Sequence, residues 1–315
     1  MMKWFLGLFA GLIIGVLISY LYFERENIWP QKVQQAEETK IQPLLKYTIK
    51  NLGKREYKSE ILLDEQTSPG VYKFHFESDG KKVTGLAHVP KECGKCPVIV
   101  QIRGYAKPEN YESGYGTWRS AEKFAETGFI SVAPDFLGYA ESASPSSDIF
   151  EERFEKYTTV LNLLSGVENW NFSNGKIYLW GHSNGGQIAL AVLEISGKPY
   201  PTSLWAPVGA GFPYSILFYM NENGEGDRQL RSKLAEFESE YDANQFSMAN
   251  YLDTIIAPIQ LHQGTNDESI PVDWSRNLAK ELKDIKYFEY PGADHNLLPN
   301  WDLVVKRDID FFRSH

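Results

Sequence analysis

Hydrophobic and polar positions change their period several times along the chain, and each change marks an element. "VYKFHF" (71–76) and "KVTGLAHVP" (82–90) alternate around Asp79-Gly80, which predicts a β-hairpin turning on that dipeptide. "PVIVQI" (97–102) is continuously apolar and rich in β-branched residues between a proline and Arg103-Gly104, as a strand covered on both faces should be. The pattern then alternates. "WRSAEKFAETG" has helical spacing and stops on Gly128, "FISVAP" is a strand, "FEERFEKYTTVLNLLSGVENW" is a long amphipathic helix, "KIYLW" is a strand and "GQIALAVLEIS" is a helix.

Further along, "TSLWAP", "APIQLHQG" and "KYFEYPG" read as strands, while "DWSRNLAKELKD" and "WDLVVKRDIDFFRS" read as helices. Strands alternating with helices imply right-handed crossovers, so the fold class is α/β: a mostly parallel central sheet with helices on both faces. The alternation lapses at about 206–256, and so long an insertion predicts a lid or binding element.

The N-terminus has no such period. Trp4 to Phe23 carries no charged residue and matches the ~20 residues a helix needs to cross a bilayer. Residues 1–23 are therefore expected to form a transmembrane anchor, with a cleaved signal peptide and a secreted body as the alternative. Lys3 before the span and Glu24 and Glu26 after it point the body outward. Gly7, Gly11, Gly15 and Ser19 recur every fourth residue, a stripe that would let two such helices pair as a homodimer. Residues 24–45 are polar and aperiodic and read as a stalk, which leaves 46–315 as one domain.

Composition adds constraints. Of 315 residues 43% are hydrophobic, enough for a large core. Thirty-two basic residues face 41 acidic ones, a formal charge of -9, and no basic block occurs, so no nucleic acid partner is expected. Cys93 and Cys96 form a lone C-x-x-C without a second pair or a nearby histidine, which argues against zinc. A local disulfide and two free thiols both remain open. No metal or organic cofactor is implied.

The chemistry lies in "YLWGHSNGGQIAL". Gly181-His182-Ser183-Asn184-Gly185 fits G-x-S-x-G between a strand and a helix, the turn that lifts a serine hydroxyl above a sheet. A serine nucleophile needs a base, and that base needs an orienting carboxylate. Asp267 follows the strand "APIQLHQG" and His295 follows "KYFEYPG", so both stand at carboxyl ends of strands. Glu268 is a minority alternative to Asp267, and Asp294 adjoins His295 too closely to orient its ring. His182 is held inside the turn, while His75, His88, His262 and His315 lie in positions that suit structure better than proton transfer. The oxyanion donors are expected to be the backbone N–H of Asn184 and of Tyr105 in "QIRGYAKPENY". Phe212, Tyr214, Phe218, Tyr219 and Met220 of the insertion would either wall a substrate pocket or pack on the body.

"GHSNGG", "HQGTNDESIPVDWSRNLAKEL", "YPGADHN" and "SVAPDFLGYAESA" together resemble the α/β-hydrolase superfamily, most nearly the catalytic domains of prolyl oligopeptidases and related acyl-peptide hydrolases and esterases. The likeness spans roughly 70–315 and implies a serine hydrolase with Ser183 as nucleophile, His295 as base and Asp267 as orienting acid. Asp135 and Gly138 match the superfamily's D-x-x-G turn, read as structural. Two departures matter: no β-propeller fits before residue 70, and "RGYA" replaces the usual His-Gly or Tyr-Gly-Gly of the oxyanion loop. The expectation is a membrane-anchored serine hydrolase of carboxylic esters or small peptides working through an acyl-enzyme. The alternatives are a lipase-like membrane esterase and a non-catalytic binding module on the same fold.

Overall fold

The computed structural model describes residues 19, 20, 42–220 and 224–315. The chain divides into two units, residues 1–42 and 43–315. The expected anchor (4–23), its glycine stripe at Gly7, Gly11 and Gly15, and most of the stalk lie outside the described residues, apart from Ser19 and Tyr20. Among the described residues no helix is long and apolar enough to cross a membrane. The body begins at Pro43, a little before the boundary expected at residue 46, because Leu44 and Tyr47 of a short 3-10 helix are already buried in its core.

The strands are β1 (Leu62–Ser68), β2 (Val71–Ser78), β3 (Lys81–His88), β4 (Cys96–Ile102), β5 (Ile130–Pro134), β6 (Ser173–His182), β7 (Thr202–Trp205), β8 (Ile259–Gly264) and β9 (Ile285–Tyr290). They form one sheet in the order β1-β2-β3-β5-β4-β6-β7-β8-β9. From β1 to β5 the pairings are antiparallel, and from β5 through β4 and β6 to β9 they are parallel. β2 and β3 are the expected hairpin, with Ser78 opposite Lys81 across Asp79-Gly80. The sequence pattern did not announce β1, since every residue of that edge strand is exposed or half-buried.

The helices longer than a single turn are α1 (Trp118–Glu126), α2 (Ile149–Glu168), α3 (Asn184–Ser196), α4 (Glu225–Glu240), α5 (Val272–Glu281) and α6 (Trp301–Arg313). Successive side chains of a strand point to opposite faces, and two cores result. Val98, Val100 and Ile102 join Ile177 and Leu179 beneath α2 and α3, whereas Ile99, Tyr178 and Trp180 pack with α1 and α6.

The second layer is tied to the sheet by a buried carboxylate. Asp308 of α6, wholly buried, accepts from Ser203 Oγ at 2.6 Å, Trp205 Nε1 at 2.8 Å and Gln260 Nε2 at 3.0 Å, with His262 Nε2 also at 3.0 Å. His262 is thereby a structural residue of β8. Its other ring nitrogen meets the Tyr290 hydroxyl at 2.7 Å.

The insertion after β7 is partly core. Phe212, ahead of the single turn Tyr214–Leu217, packs 5.5 Å from Phe154 of α2 and 5.2 Å from Phe237 of α4, ring centre to ring centre, and Phe246 stacks 5.0 Å from Phe154. Cys93 and Cys96 are joined as a disulfide that ties the preceding loop to the first residue of β4.

Candidate active site

Ser183 stands between β6 and α3 at φ 56°, ψ -121°, a backbone conformation that costs a non-glycine residue about 1–3 kcal/mol. The neighbourhood imposes it. Ser183 N–H donates to the Trp205 carbonyl at the end of β7 (2.9 Å), and its own carbonyl accepts from Val208 N–H (3.0 Å). The glycines permit the close turn: a Cβ at Gly185 would lie 1.9 Å from the Ile102 carbonyl oxygen, and one at Gly181 would lie 2.7 Å from the Gly185 oxygen.

His295, on the loop after β9, places Nδ1 2.9 Å from Asp267 Oδ2 on the loop after β8. Asp267 is fixed from other sides as well, accepting from Ser269 N–H at 2.8 Å, Ile270 N–H at 2.9 Å and Gln263 Nε2 at 3.0 Å. Burial alone would raise its pKa, but the bond to His295 and the two backbone donors outweigh it and hold the carboxyl below the ordinary range.

The acids and histidines set aside in the sequence have other partners. Asp294 accepts from Asn296 and Leu298 N–H, both at 2.9 Å, and shapes the loop that carries His295. His182 packs 4.7 Å from the His295 ring and bonds the His295 carbonyl oxygen at 3.0 Å, and burial with the neighbouring His295 pushes its pKa down to about 4. His182 thus positions the loop as a neutral ring. His88 is buried against Trp118, and burial likewise brings its pKa to about 4. His75 pairs with Asp64 on the surface, and His315 rests on Phe311.

The loop after β4 passes close to the serine. A Cβ on Gly104 would lie 3.0 Å from Ser183 Cβ, so only glycine allows this approach without displacement. Tyr105 and Asn184 line the same cavity as Ser183 and His295. Asn184 is the first residue of α3, where N–H groups lack intrahelical partners. Tyr105 is 71% exposed. Arg103 braces the loop. Its guanidinium lies 4.4 Å from the Tyr111 ring centre and 4.1 Å from that of Tyr139, and donates to the carbonyl oxygens of Gly104 and Asp135, each at 2.9 Å. The Asp135 carboxylate is occupied by Thr84, Tyr111 and Ser113, consistent with a structural turn.

The cavity measures about 950 Å³. Of the aromatic residues expected to wall it, Tyr219 does so, beside Met220 and Ile216. Phe212 is buried in the aromatic core, and Tyr214 and Phe218 turn outward onto Trp274 of α5, so these three are not among its lining. Among the residues missed in the sequence that line it are Arg153 and Lys156 of α2. They read as the polar face of an amphipathic helix, and only the arrival of the insertion over that face turns them inward. Among the described residues no group of three His, Cys, Asp or Glu side chains is arranged to hold a metal ion.

Comparison with known proteins agrees at the level of class. Residues 79–204 match the family model of the X-Pro dipeptidyl-peptidases (S15 family), a span that includes Ser183 but neither Asp267 nor His295. No curated protein matches the chain. Among solved structures, the acetyl xylan esterase from Paenibacillus sp. R4 superposes with a TM-score of 0.63 at 17% identity, covering 83% of this chain and 91% of that one. Acetyl xylan esterase 1 from Thermoanaerobacterium sp. gives 0.63 at 15% identity, covering 86% and 94%. Est1E from Butyrivibrio proteoclasticus, bound to ferulic acid, gives 0.56 at 19% identity, covering 76% and 97%. The fold is the α/β-hydrolase fold, and by class the chain is a serine hydrolase enzyme. The peptidase family matched is S15, so the expected closeness to prolyl oligopeptidases gains no support beyond the shared fold.

Proposed function

We propose that the protein hydrolyses carboxylic esters through an acyl-enzyme, with Ser183 as nucleophile, His295 as base and Asp267 as the acid that orients it. The observation that carries this reading is the Asp267–His295 bond of 2.9 Å, with His295 and the strained Ser183 lining one cavity. Ser183 Oγ attacks the carbonyl carbon while its proton passes to His295 Nε2, and the negative charge gathers on the carbonyl oxygen, facing the Asn184 and Tyr105 N–H groups. The ester C–O bond then breaks and the alcohol leaves with the proton from His295. Water, deprotonated by the same nitrogen, returns the serine and releases the acid.

Burst kinetics on a short-chain nitrophenyl ester test the reading, with Ser183→Ala as control. A burst that disappears in the variant supports the acyl-enzyme. Full turnover in the variant would sink the assignment. The S15 match favours a second reading, a peptidase of short substrates, which an aminoacyl-nitroanilide panel distinguishes by its rates. The same proposal has the body outside the cytoplasm, anchored through residues 4–23. The uncharged apolar run and the Cys93–Cys96 disulfide support that location, and protease accessibility of the body in intact cells tests it.

A further inference from the structure

The charges around Ser183 are unlike those of the chain as a whole. The sequence carries a net charge of -9, yet among the described residues the charged side chains that line the cavity, besides its two histidines, are Arg103, Arg153 and Lys156 against Asp227. Arg103 is committed to the oxyanion loop and its flanking tyrosines, which leaves Arg153 and Lys156, one turn apart on α2.

Arg153 is held rather than mobile. Its Nη2 donates to Gln187 Oε1 of α3 at 2.7 Å and to Ser215 Oγ of the insertion at 3.1 Å, while its Nε is buried without a hydrogen-bond partner. These are neutral acceptors, and among the described residues no carboxylate pairs with it. Among the described residues Lys156 pairs loosely with Glu152 at 3.4 Å, whose side chain is 39% exposed. Burial pushes the Lys156 pKa down, with Glu152 opposing the shift. A cation pair so poorly neutralised inside a cavity is costly unless an anion shares the space.

We propose that this cavity takes a substrate bearing a carboxylate, bound by Arg153 and Lys156 on the α2 wall while its ester bond lies at Ser183. This rests on the hydrolase reading and narrows it to acidic substrates. A guanidinium fixed in the wall next to an ammonium suits a carboxylate, which accepts from both at once. A substrate ending in an ammonium group, such as a free peptide amino terminus, would meet both cations with the wrong sign.

The test compares matched pairs on the full chain. On the acyl side, the mono-4-nitrophenyl ester of glutaric acid is set against the same compound with its free carboxyl methylated. On the leaving-group side, 4-acetoxybenzoate is set against its methyl ester. The acidic member of at least one pair should show kcat/KM higher by about tenfold, and the pair that shows it identifies which half of the substrate carries the charge. That ratio should fall to near one in Lys156→Met and in Arg153→Met, and invert in Lys156→Glu. Reading a ratio within each variant cancels any loss of folded protein. Neutral members preferred in both pairs, with hydrolysis still dependent on Ser183, would overturn the inference and leave the hydrolase standing. If nothing is hydrolysed, calorimetric titration of the same two pairs into the protein decides the charge preference from affinity alone, with equal or weaker binding of the acidic members overturning it.

Discussion

Asp267 and His295 meet at 2.9 Å although each belongs to a different loop, one after β8 and one after β9. The two strands are parallel neighbours from Ile259 opposite Ile285 to Gly264 opposite Tyr290, so the sheet register delivers carboxylate and imidazole to the same level. Asp267→Asn keeps an oxygen for the backbone donors but favours the wrong histidine tautomer. Turnover of a nitrophenyl ester is expected to fall by roughly 1,000- to 10,000-fold with little change in KM, as steady-state kinetics would read.

Acid should destabilise the fold first through its buried histidines. His88 is 3% exposed and its pKa is brought by burial to about 4, below its unfolded value near 6.5. The unfolded chain therefore binds the proton first, and the stability gained by keeping His88 neutral, complete above pH 6.5, is lost as the pH falls towards 4. The loss is roughly 3 kcal/mol at most. Denaturant midpoints measured from pH 7 to pH 4 should fall less steeply for His88→Phe than for the native chain, and parallel slopes would contradict the account. Asp267, with its depressed pKa, adds its own loss at lower pH, beginning as the pH falls through the ordinary carboxylate range and completed below its folded pKa.

Two glycines separate stability from activity. Gly185→Ala puts a methyl group 1.9 Å from a backbone oxygen of β4, which cannot yield as a side chain would. A loss of about 4 kcal/mol or more is expected, seen as a large fall in melting temperature. Gly104→Ala meets Ser183 Cβ at 3.0 Å, and the loop can shift to relieve it. Its expected effect is a fall in kcat of about 10- to 100-fold, since one oxyanion donor moves with the loop.

Residues of the insertion should divide by where they point. Phe212→Ala removes a ring from the cluster with Phe154 and Phe237 and should cost about 3–5 kcal/mol in denaturant unfolding without changing the rank order of substrates. Tyr219→Ala, at the cavity wall, should do the reverse and change relative KM values across acyl chain lengths.

The parts legible in the sequence were those where one residue's environment shows in its neighbours. Strands such as 97–102 are largely apolar on both faces because both faces are covered, and the G-x-S-x-G corner is marked by glycines whose Cβ would meet backbone atoms. Asp267 and His295 followed from their positions after such strands. β1 escaped notice because an exposed edge strand needs no apolar period. Phe212 looked like pocket material for the opposite reason: an aromatic in an aperiodic segment gives no clue to whether it faces a cavity or Phe154. Arg153 depends on contacts across 30 residues or more, with Gln187 and Ser215, and helix periodicity records only that it shares the polar side of α2 with Lys156.

The Asp308 network also bears on the order in which the protein can be made. A chain emerging from the ribosome as far as β8 already carries Ser203, Trp205, Gln260 and His262, four side chains whose common acceptor has yet to be synthesised. His295 is equally late, whereas Ser183 and its elbow appear more than a hundred residues sooner. Closure of the sheet's second layer and arrival of His295 are therefore nearly simultaneous, so under the proposed mechanism a nascent chain would hold an idle serine until its last helix docks.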